Sequence, residues 1–282
     1  MPREEARIAP TYDACIVCGG TPLTETHIWP KWLQKILPGL KNHHIVMDYA
    51  EQPGMPREKR RRITQKYKRR MFSKAPFLAC KCCNEGWMKK FEDEVAPFLK
   101  PILDDISAKV SLTEAHQNSL AGWLALITAL AEYAEYQYPS IKQSAFLHLE
   151  SQRVPPNDFY IYVAQSTGKK WKELYRYHNW YHGSPPIPVT PNGRTKNNGQ
   201  IMTMGIGNLF AQVISGPRNT EIDLYCIAIE HAGMSRIWPR QTLWDRNNRL
   251  LDFPLKLQLS DQRAFELAEE LHNRMAARAT RL

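Results

Sequence analysis

CIVCGG at residues 15–20 and CKCCNEGWMKKFE at residues 80–92 are the two stretches that decide how this chain folds. Each contains two cysteines with two residues between them, which lets both sulfur atoms face one ion from a single turn. Two glycines follow the first pair and permit the backbone to fold back over that ion. The spacing predicts one tetrahedral, structural Zn²⁺ site whose ligands are Cys15, Cys18, Cys80 and Cys83.

Two alternatives compete with a single zinc site. Cys82 lies inside the second motif and can replace one of its neighbours as a ligand, although the spacing favours Cys80 and Cys83. The cysteines can also form two unrelated groups of buried or redox-active thiols. Six cysteines in a cytoplasmic chain are not expected to form a disulfide framework. Cys226, in the apolar run DLYCIAIE, is expected to be a small core residue.

No segment of the sequence is predicted to enter a membrane. The longest apolar run, LAGWLALITAL at residues 120–130, is too short to span a bilayer and predicts a buried helix. The N-terminus begins with mixed charges and has no apolar stretch of the kind found in secretion signals. We therefore expect a cytoplasmic protein that does not bind membranes.

A concentrated cationic segment lies between the two cysteine motifs. Residues 57–70 contain nine basic residues and one acidic residue, so they supply +8 of the formal net charge of +10. Such a segment attracts polyanions, of which nucleic acid is the commonest in a cytosol. The alternative is a solvated, partly disordered loop. The residues predicted to contact phosphates are Arg57, Lys59, Arg60, Arg61, Arg62, Lys66, Lys68, Arg69 and Arg70.

Composition and patterning predict an α+β protein in two parts. A hydrophobic content of 43% over 282 residues is typical of a globular chain with a substantial core. We expect a zinc-stabilised domain over residues 1–110, with a basic insertion at 41–75 that forms loops. Residues 111–282 are expected to form a larger domain, first helical and then rich in mostly antiparallel strands.

Local patterns predict individual elements of both parts. A helix is expected from Asn84, with Pro97 and Pro101 bending or ending it. Ser111-Leu-Thr-Glu114 is a capping-box pattern for a helix that runs to about Tyr136. A final helix is expected over Asp261–Arg278. The predicted strands are AFLHL (145–149), FYIYVAQ (159–165), ELYRY (173–177), IMTMGIGNLFAQVIS (201–215) and DLYCIAIE (223–230).

The two cysteine motifs, together with ETHIWPKWL at residues 25–33, resemble bacterial HNH-type nuclease-like proteins. The resemblance is specific over residues 15–92 and weaker around Trp123, TMGIGNLF (203–210) and IWP (237–239). It implies a treble-clef, ββα-metal core beside a four-cysteine zinc. It also implies a histidine that deprotonates water for attack on a phosphodiester, and one catalytic divalent cation, Mg²⁺ or another.

The resemblance assigns catalytic roles to His27, Glu25 and Asn84. His27 falls on the general-base position, and Asn84 falls where the family places a metal ligand, although Asn84 can equally be a helix N-cap. The family has an acidic residue directly before the histidine, where this chain has Thr26. Glu25 is therefore one position away, and an extended strand would place it on the opposite face unless a bulge intervenes. Met88 stands where a further histidine ligand is expected.

Several nearby residues have two interpretations. His43 and His44 can supply replacement metal ligands, or they can be exposed loop residues. Tyr67, Trp29 and Trp32 can stack on bases, but the two tryptophans are more typical of core anchors.

Three functions follow from these features. The predicted one is an HNH-like, metal-dependent endonuclease that hydrolyses phosphodiester bonds in DNA, with His27 as the general base. The alternative is a catalytically degenerate, zinc-organised nucleic-acid-binding protein. The third is an interaction module whose C-terminal part binds a protein. The expected partner is nucleic acid, with DNA favoured, and no feature indicates a protein partner or a homo-oligomer.

Overall fold

The computed structural model describes residues 10–37, 41–48, 63–70, 76–135, 139–171, 175–181, 198–217, 220–240 and 250–278. Over these ranges the chain is a mixed α/β protein whose strands pair mainly antiparallel, in agreement with the predicted α+β class. None of the helices in this part of the chain has the length and apolar character needed to cross a membrane.

The elements follow one another in an irregular order along the chain. The helices are α1 (Lys31–Ile36), α2 (Lys81–Cys83), α3 (Lys89–Asp104), α4 (Glu114–Glu135), α5 (Gln143–Gln152), α6 (Thr220–His231) and α7 (Asp261–Arg278), with a π-helical segment (Asn84–Met88) joining α2 to α3. The strands are β1 (Leu23–Glu25), β2 (Lys41–Asp48), β3 (Ile63–Arg70), β4 (Phe77–Cys80), β5 (Val110–Leu112), β6 (Phe159–Ser166), β7 (Tyr175–Tyr181), β8 (Gly199–Ile206), β9 (Leu209–Ser215), β10 (Ser235–Trp238), β11 (Leu251–Phe253) and β12 (Gln258–Leu259).

One large sheet organises the molecule. It has eight strands in the order β10-β6-β9-β8-β7-β2-β3, with β12 pairing parallel to β6. β2 pairs parallel to β7, and the remaining pairs are antiparallel. Two small sheets lie apart from it, β1 with β4 and β5 with β11. The β1–β4 pair joins the two cysteine motifs.

The large sheet has an apolar core on each face. On one face, residues such as Ile161 and Val213 belong to the same core cluster as Leu124 of α4. On the other face, Tyr162 and Phe210 pack in a second cluster with residues of α6 and α7. Strands β6 and β9 are buried along their full length, which explains why they contain few polar residues.

Helix α4 occupies the centre of the first core, and residues 120–131 are buried throughout. The buried helix predicted from LAGWLALITAL is therefore confirmed. The predicted capping box is wrong, because Ser111 lies in β5 and its hydroxyl donates to Asp252. Thr113 caps the helix instead, with its Oγ1 accepting the N–H of His116 at 3.3 Å.

The two prolines do not end the helix after the second cysteine motif. Helix α3 includes both Pro97 and Pro101 and continues to Asp104. The prolines lie on the exposed side, where carbonyl groups that lose a helical partner remain open to solvent. The opposite side buries a row of apolar side chains against the core, and this burial maintains the helix. The apolar residues are Phe91, Val95, Phe98, Leu99 and Ile102.

Two predicted strands are helices. AFLHL lies in α5, where Ala145, Phe146 and Leu149 are buried. DLYCIAIE lies in α6, where Cys226 is 5% exposed and is a small core residue, as expected. The strands predicted at 159–165 and 201–215 are confirmed as β6 and the β8–β9 hairpin, and the final helix is confirmed as α7. The strand predicted at 173–177 is partly confirmed as β7, which begins at Tyr175; residues 173–174 lie outside the described ranges.

The basic insertion is not made of loops alone. Residues 41–48 and 63–70 form an antiparallel pair, with Lys41 opposite Arg70 and Asp48 opposite Ile63. This pair extends the large sheet beyond β7. Strand pairing with a segment more than a hundred residues away supplies the backbone hydrogen bonds, so the prediction of loops at these positions is wrong.

Candidate metal centre and the adjoining site

The four predicted ligands come together in space. One sulfur atom from each of Cys15, Cys18, Cys80 and Cys83 lies within 4.8 Å of the others, and the group could hold a metal ion. All six cysteines are free thiols, and Cys82 is exposed and outside the group. Of the two competing ligand choices at the second motif, the spacing-based one is confirmed.

The sulfur positions fit a tetrahedral zinc ion. The Sγ atom of Cys18 lies 3.5 Å from that of Cys80 and 3.6 Å from that of Cys83. Zinc–sulfur bonds of about 2.3 Å in a tetrahedron separate the sulfurs by about 3.8 Å, whereas a disulfide requires about 2.0 Å. The separations therefore suit four thiolates around one ion rather than a disulfide pair.

The first motif forms a tight turn that presents its thiols to one side. The N–H of Cys15 donates to the carbonyl of Gly20 at 3.0 Å, and the N–H of Gly19 donates to the carbonyl of Cys15 at 2.9 Å. Gly19 has φ +73°, which favours glycine. A Cβ atom at Gly20 would lie 3.3 Å from the Sγ atom of Cys18, so a side chain there would crowd the ligand.

Electrostatics at the thiols favour a bound cation. Burial raises the pKa of the Cys15 thiol, but the backbone amides of Cys18, Cys80 and Val17 outweigh it and hold the pKa at about 7. Burial raises the pKa of the Cys83 thiol, and its sulfur neighbours Cys18 and Cys15 raise it further. Thiolates this close resist ionising together unless a cation offsets their charge. A dication at the centre supplies that charge.

The second motif connects a small hairpin to the helix that follows. Leu23 of β1 pairs with Cys80 at the end of β4, and the chain turns into α2 directly after this ligand. The side-chain amide of Asn84 donates to Thr24 Oγ1 at 3.0 Å and to the carbonyl oxygen of Glu25 at 2.9 Å. Asn84 therefore fastens the start of the helix to the hairpin and does not act as an N-cap.

The hairpin contains the irregularity that the resemblance requires. Thr24 pairs with Ala79 but Glu25 pairs with Phe77, so the register shifts between the two strands at this point. Thr26 is 1% exposed, and its Oγ1 accepts the N–H of Ala79 at 3.1 Å. A neutral hydroxyl thus stabilises the shifted hairpin at the position where the family places a carboxylate.

His27 follows the hairpin and is half-buried. Burial lowers the pKa of its imidazole, the nearby Lys31 ammonium lowers it further, and Glu25 acts in the opposite direction. His27 is consequently neutral at pH 7, which is the form that accepts a proton. Glu25 is exposed and lies within electrostatic reach of the imidazole.

Glu92 is a neighbour of this site that the sequence did not indicate. Burial raises the pKa of its carboxyl group to about 7, and Lys89 and Lys31 act against that shift while Asp93 adds to it. Its side chain is 24% exposed, and its Oε2 lies 4.0 Å from the Lys89 Nζ. Because Lys31 acts on both His27 and Glu92, the three groups form one electrostatic cluster at the packing contact between α1 and α3.

The resemblance implies a catalytic divalent cation near Glu25, His27 and Asn84, a set in which only two residues are of the His, Cys, Asp or Glu type. Apart from the four cysteines, the described residues contain no further group of three His, Cys, Asp or Glu side chains that could hold a metal. Mg²⁺ prefers oxygen ligands in octahedral geometry, and one exposed carboxylate at Glu25 is a poor match for it. We derive no chemical step through such an ion.

The tryptophans beside His27 are core residues. Trp29 is 2% exposed, and Trp32 packs against the core and stacks on Trp123 with ring centroids 6.2 Å apart. The core-anchor interpretation is therefore confirmed. His43 and His44 are consecutive residues of β2, so they take opposite faces of the sheet.

The predicted phosphate-contacting residues divide into two groups. Lys66, Lys68, Arg69 and Arg70 lie on β3. The remaining five, Arg57, Lys59, Arg60, Arg61 and Arg62, lie outside the described residues.

Comparisons with protein-family models, with curated proteins and with solved structures found no match for this chain. A cluster of four cysteines does not by itself identify a family, because such clusters recur in many unrelated zinc proteins. The resemblance to HNH-type proteins therefore depends on the sequence motifs.

Proposed function

We propose that this chain is an HNH-like endonuclease that hydrolyses phosphodiester bonds in DNA. In this proposal the turn at Cys15, the β1–β4 hairpin and the helix after Cys83 form a treble clef around a structural zinc. The observation that carries the proposal is the neutral, half-buried imidazole of His27, which follows this hairpin directly. The zinc holds the hairpin and helix together, so the imidazole keeps a fixed orientation.

The chain's own residues supply the elements of a hydrolytic step. The imidazole of His27 accepts a proton from water, the resulting hydroxide attacks the phosphorus atom, and the P–O bond to the leaving sugar oxygen breaks. The leaving oxygen then takes up a proton from solvent. The Lys31 ammonium lies close enough to lower the pKa of His27, and its charge favours an approaching phosphate.

A second candidate is a zinc-organised nucleic-acid-binding protein that does not cleave. The observation that favours it is that the cysteines form the one group of three or more His, Cys, Asp or Glu side chains able to hold a metal among the described residues. In this case the basic segment binds phosphates. It is supported by the four-cysteine group and the elements around it, residues 15–37 and 76–104, which we call the zinc module.

A plasmid-nicking assay with Mg²⁺ or Mn²⁺ tests the proposal. We expect His27→Ala to lower the nicking rate by about 100-fold or more, since a general base contributes at least that much. His231→Ala, at an exposed histidine at the end of α6, is the matched control and should retain full activity. Because burial lowers the pKa of His27, the wild-type rate should decline only below pH 6.5.

The outcomes separate the two candidates. If the wild type is inert with every metal but binds DNA, the nuclease proposal fails and the second candidate stands. Equal nicking by wild type and His27→Ala would remove His27 from the mechanism.

A further inference from the structure

The strand register places a row of tyrosines and a row of cations on one face of the large sheet. Tyr175 pairs with His43, and His43 pairs with Lys68. Paired residues share a face, and every second residue along a strand returns to it. On this face β7 therefore contributes three tyrosines and one asparagine, and β3 contributes three cations and one threonine: Tyr175, Tyr177, Asn179 and Tyr181, and Thr64, Lys66, Lys68 and Arg70. We call this surface the platform.

The platform lies on the same face of the large sheet as the second core. At β6, β8 and β9 this face is covered by α6 and α7. Tyr175 pairs with Gly205, and Gly205 pairs with Phe210, which is buried in the second core. Trp171 belongs to the same core. Its carbonyl oxygen lies so close to Gly205 that a Cβ atom would not fit there. Beyond this core, the main contacts of β2, β3 and β7 with other described elements are with neighbouring strands.

The two rows match the two interactions that an unpaired nucleic acid strand offers. Aromatic rings stack on the faces of unpaired bases, and a row of cations follows the phosphate backbone. Adjacent strands lie about 4.8 Å apart, so the rows on β7 and β3 are about 10 Å apart, with β2 between them. β2 adds Lys41 and His43 to this face. None of the positions that these three described strands contribute to the platform is acidic.

The opposite face of the same strands carries a different set of residues. Its members include Tyr67 and Arg69 on β3, Asp48 on β2 and Arg176 on β7. Towards β8 and β9 this face becomes the core beneath α4. The opposite face is therefore continuous with the first core, whereas the platform lies on the face of the second core.

We propose that the platform binds single-stranded nucleic acid. A duplex hides the base faces inside its stack, so the tyrosine row has no partner there, whereas an open strand exposes both bases and phosphates. The inference rests on the proposed function in taking nucleic acid as the ligand, and it requires no cleavage. Its failure and that of the nuclease proposal are distinguishable, because binding is measured without added Mg²⁺ in a His27→Ala background.

Fluorescence anisotropy with labelled oligo-dT, oligo-rU and a DNA duplex tests the platform. We expect Lys66→Ala with Lys68→Ala to weaken binding of both single strands about tenfold and to lower the salt slope by about 1.4, which is 0.7 for each phosphate contact. Lys142→Ala with Lys256→Ala removes the same charge at two exposed positions outside the platform strands and should change affinity less than twofold.

The tyrosine row is tested separately from its charge. Tyr177→Leu should weaken single-strand binding about tenfold, because stacking on one base is lost, and Tyr177→Phe should retain it. The proposal is overturned if both double variants lose affinity equally, if Tyr177→Leu binds like Tyr177→Phe, or if the duplex binds as tightly as the single strands. A preference between oligo-dT and oligo-rU would identify which sugar the platform accepts.

Discussion

Burial of one carboxyl group gives the zinc module a specific pH dependence. The pKa of Glu92 is raised to about 7 by burial, so the folded protein binds a proton at this site more tightly than the unfolded chain does. The stability that this provides is fully present below pH 4.5 and is lost as the pH rises through 7. The Lys89 ammonium, 4.0 Å away, reduces the loss without removing it.

Glu92→Gln should therefore be more stable than the wild type at pH 8 by about 2 kcal/mol, and nearly equal to it at pH 5. Urea unfolding at the two pH values measures the difference. Glu150→Gln, at an exposed position on α5, is the control and should change the free energy of unfolding by less than about 0.5 kcal/mol at either pH. A Glu92→Gln effect that is the same at both pH values would show that the carboxyl group is not the source.

Among individual residues, the four clustered cysteines could be predicted from the sequence, whereas the burial of Glu92 could not. The two-residue spacing of each motif has a direct geometric meaning, so Cys15, Cys18, Cys80 and Cys83 could be named in advance. Glu92 is one of several acidic residues in an amphipathic helix. Its burial depends on the packing of α1 against α3, which the sequence does not show. Thr26 stands where the resemblance implies a carboxylate. In the structure its buried hydroxyl accepts the N–H of Ala79 and so stabilises the shifted pairing of β1 with β4.

Among the elements, the turn at Cys15, the β1–β4 pair and the helix after Cys83 bring their cysteines together in one group that could hold a metal ion. The turn contacts β4 through the N–H of Ile16, which donates to the carbonyl of Leu78 at 3.0 Å, but the hairpin has only two short strands. Such short strands do not persist alone in water. We therefore expect metal binding and folding to be coupled in this region.

Cys15→Ala should release the zinc and unfold the turn and the β1–β4 pair, while α3 stays packed against the main core. A colorimetric zinc assay on purified protein should give one equivalent for the wild type and much less for the variant, and limited proteolysis should then cut between the two cysteine motifs. Cys82→Ser, at the exposed cysteine outside the cluster, should retain one equivalent. Full zinc content in Cys15→Ala, or none in the wild type, would contradict the four-cysteine site.

Short apolar runs explain the errors at the scale of elements. DLYCIAIE has the length of a buried strand, and periodicity cannot decide between strand and helix in so few residues. Over the longer span of α6 the buried positions Ile222, Tyr225, Cys226 and Ile229 follow helical spacing. The sequences of β2 and β3, KNHHIVMD and ITQKYKRR, contain too many polar residues to predict strands. β2 pairs with the distant strand β7, and β3 pairs with β2.

For the molecule as a whole, the division near residue 110 crosses a continuous core. Leu99 and Ile102 of α3 belong to the same cluster as Leu124 of α4 and Val163 of β6. The carbonyl oxygen of Leu103 accepts both the N–H and the side-chain amide of Asn208, at 3.2 and 3.0 Å. The turn between β8 and β9 therefore caps the C-terminal end of α3. No sequence pattern predicts a contact between residues so far apart.

The same turn is shaped to fit α3. Gly207 has φ +55°, and a Cβ atom there would lie 2.6 Å from the carbonyl oxygen of Leu103. Glycine is required both by the backbone conformation and by the close approach. The zinc module and the large sheet thus meet through a contact that depends on the exact shape of the turn, and the predicted boundary at residue 110 does not separate two independent cores.

A fragment of residues 1–110 is therefore expected to remain without a stable core, even with one equivalent of zinc. Its α3 would expose Phe91, Leu99 and Ile102, which are fully buried in the whole chain, and each such side chain loses about 1.5–3 kcal/mol of burial free energy. Thermal unfolding followed by circular dichroism should give no cooperative transition for the zinc-loaded fragment and a sharp one for the full chain. A sharp transition in the fragment would mean instead that the zinc alone stabilises the module, and that α4 and the sheet merely cover an independent domain.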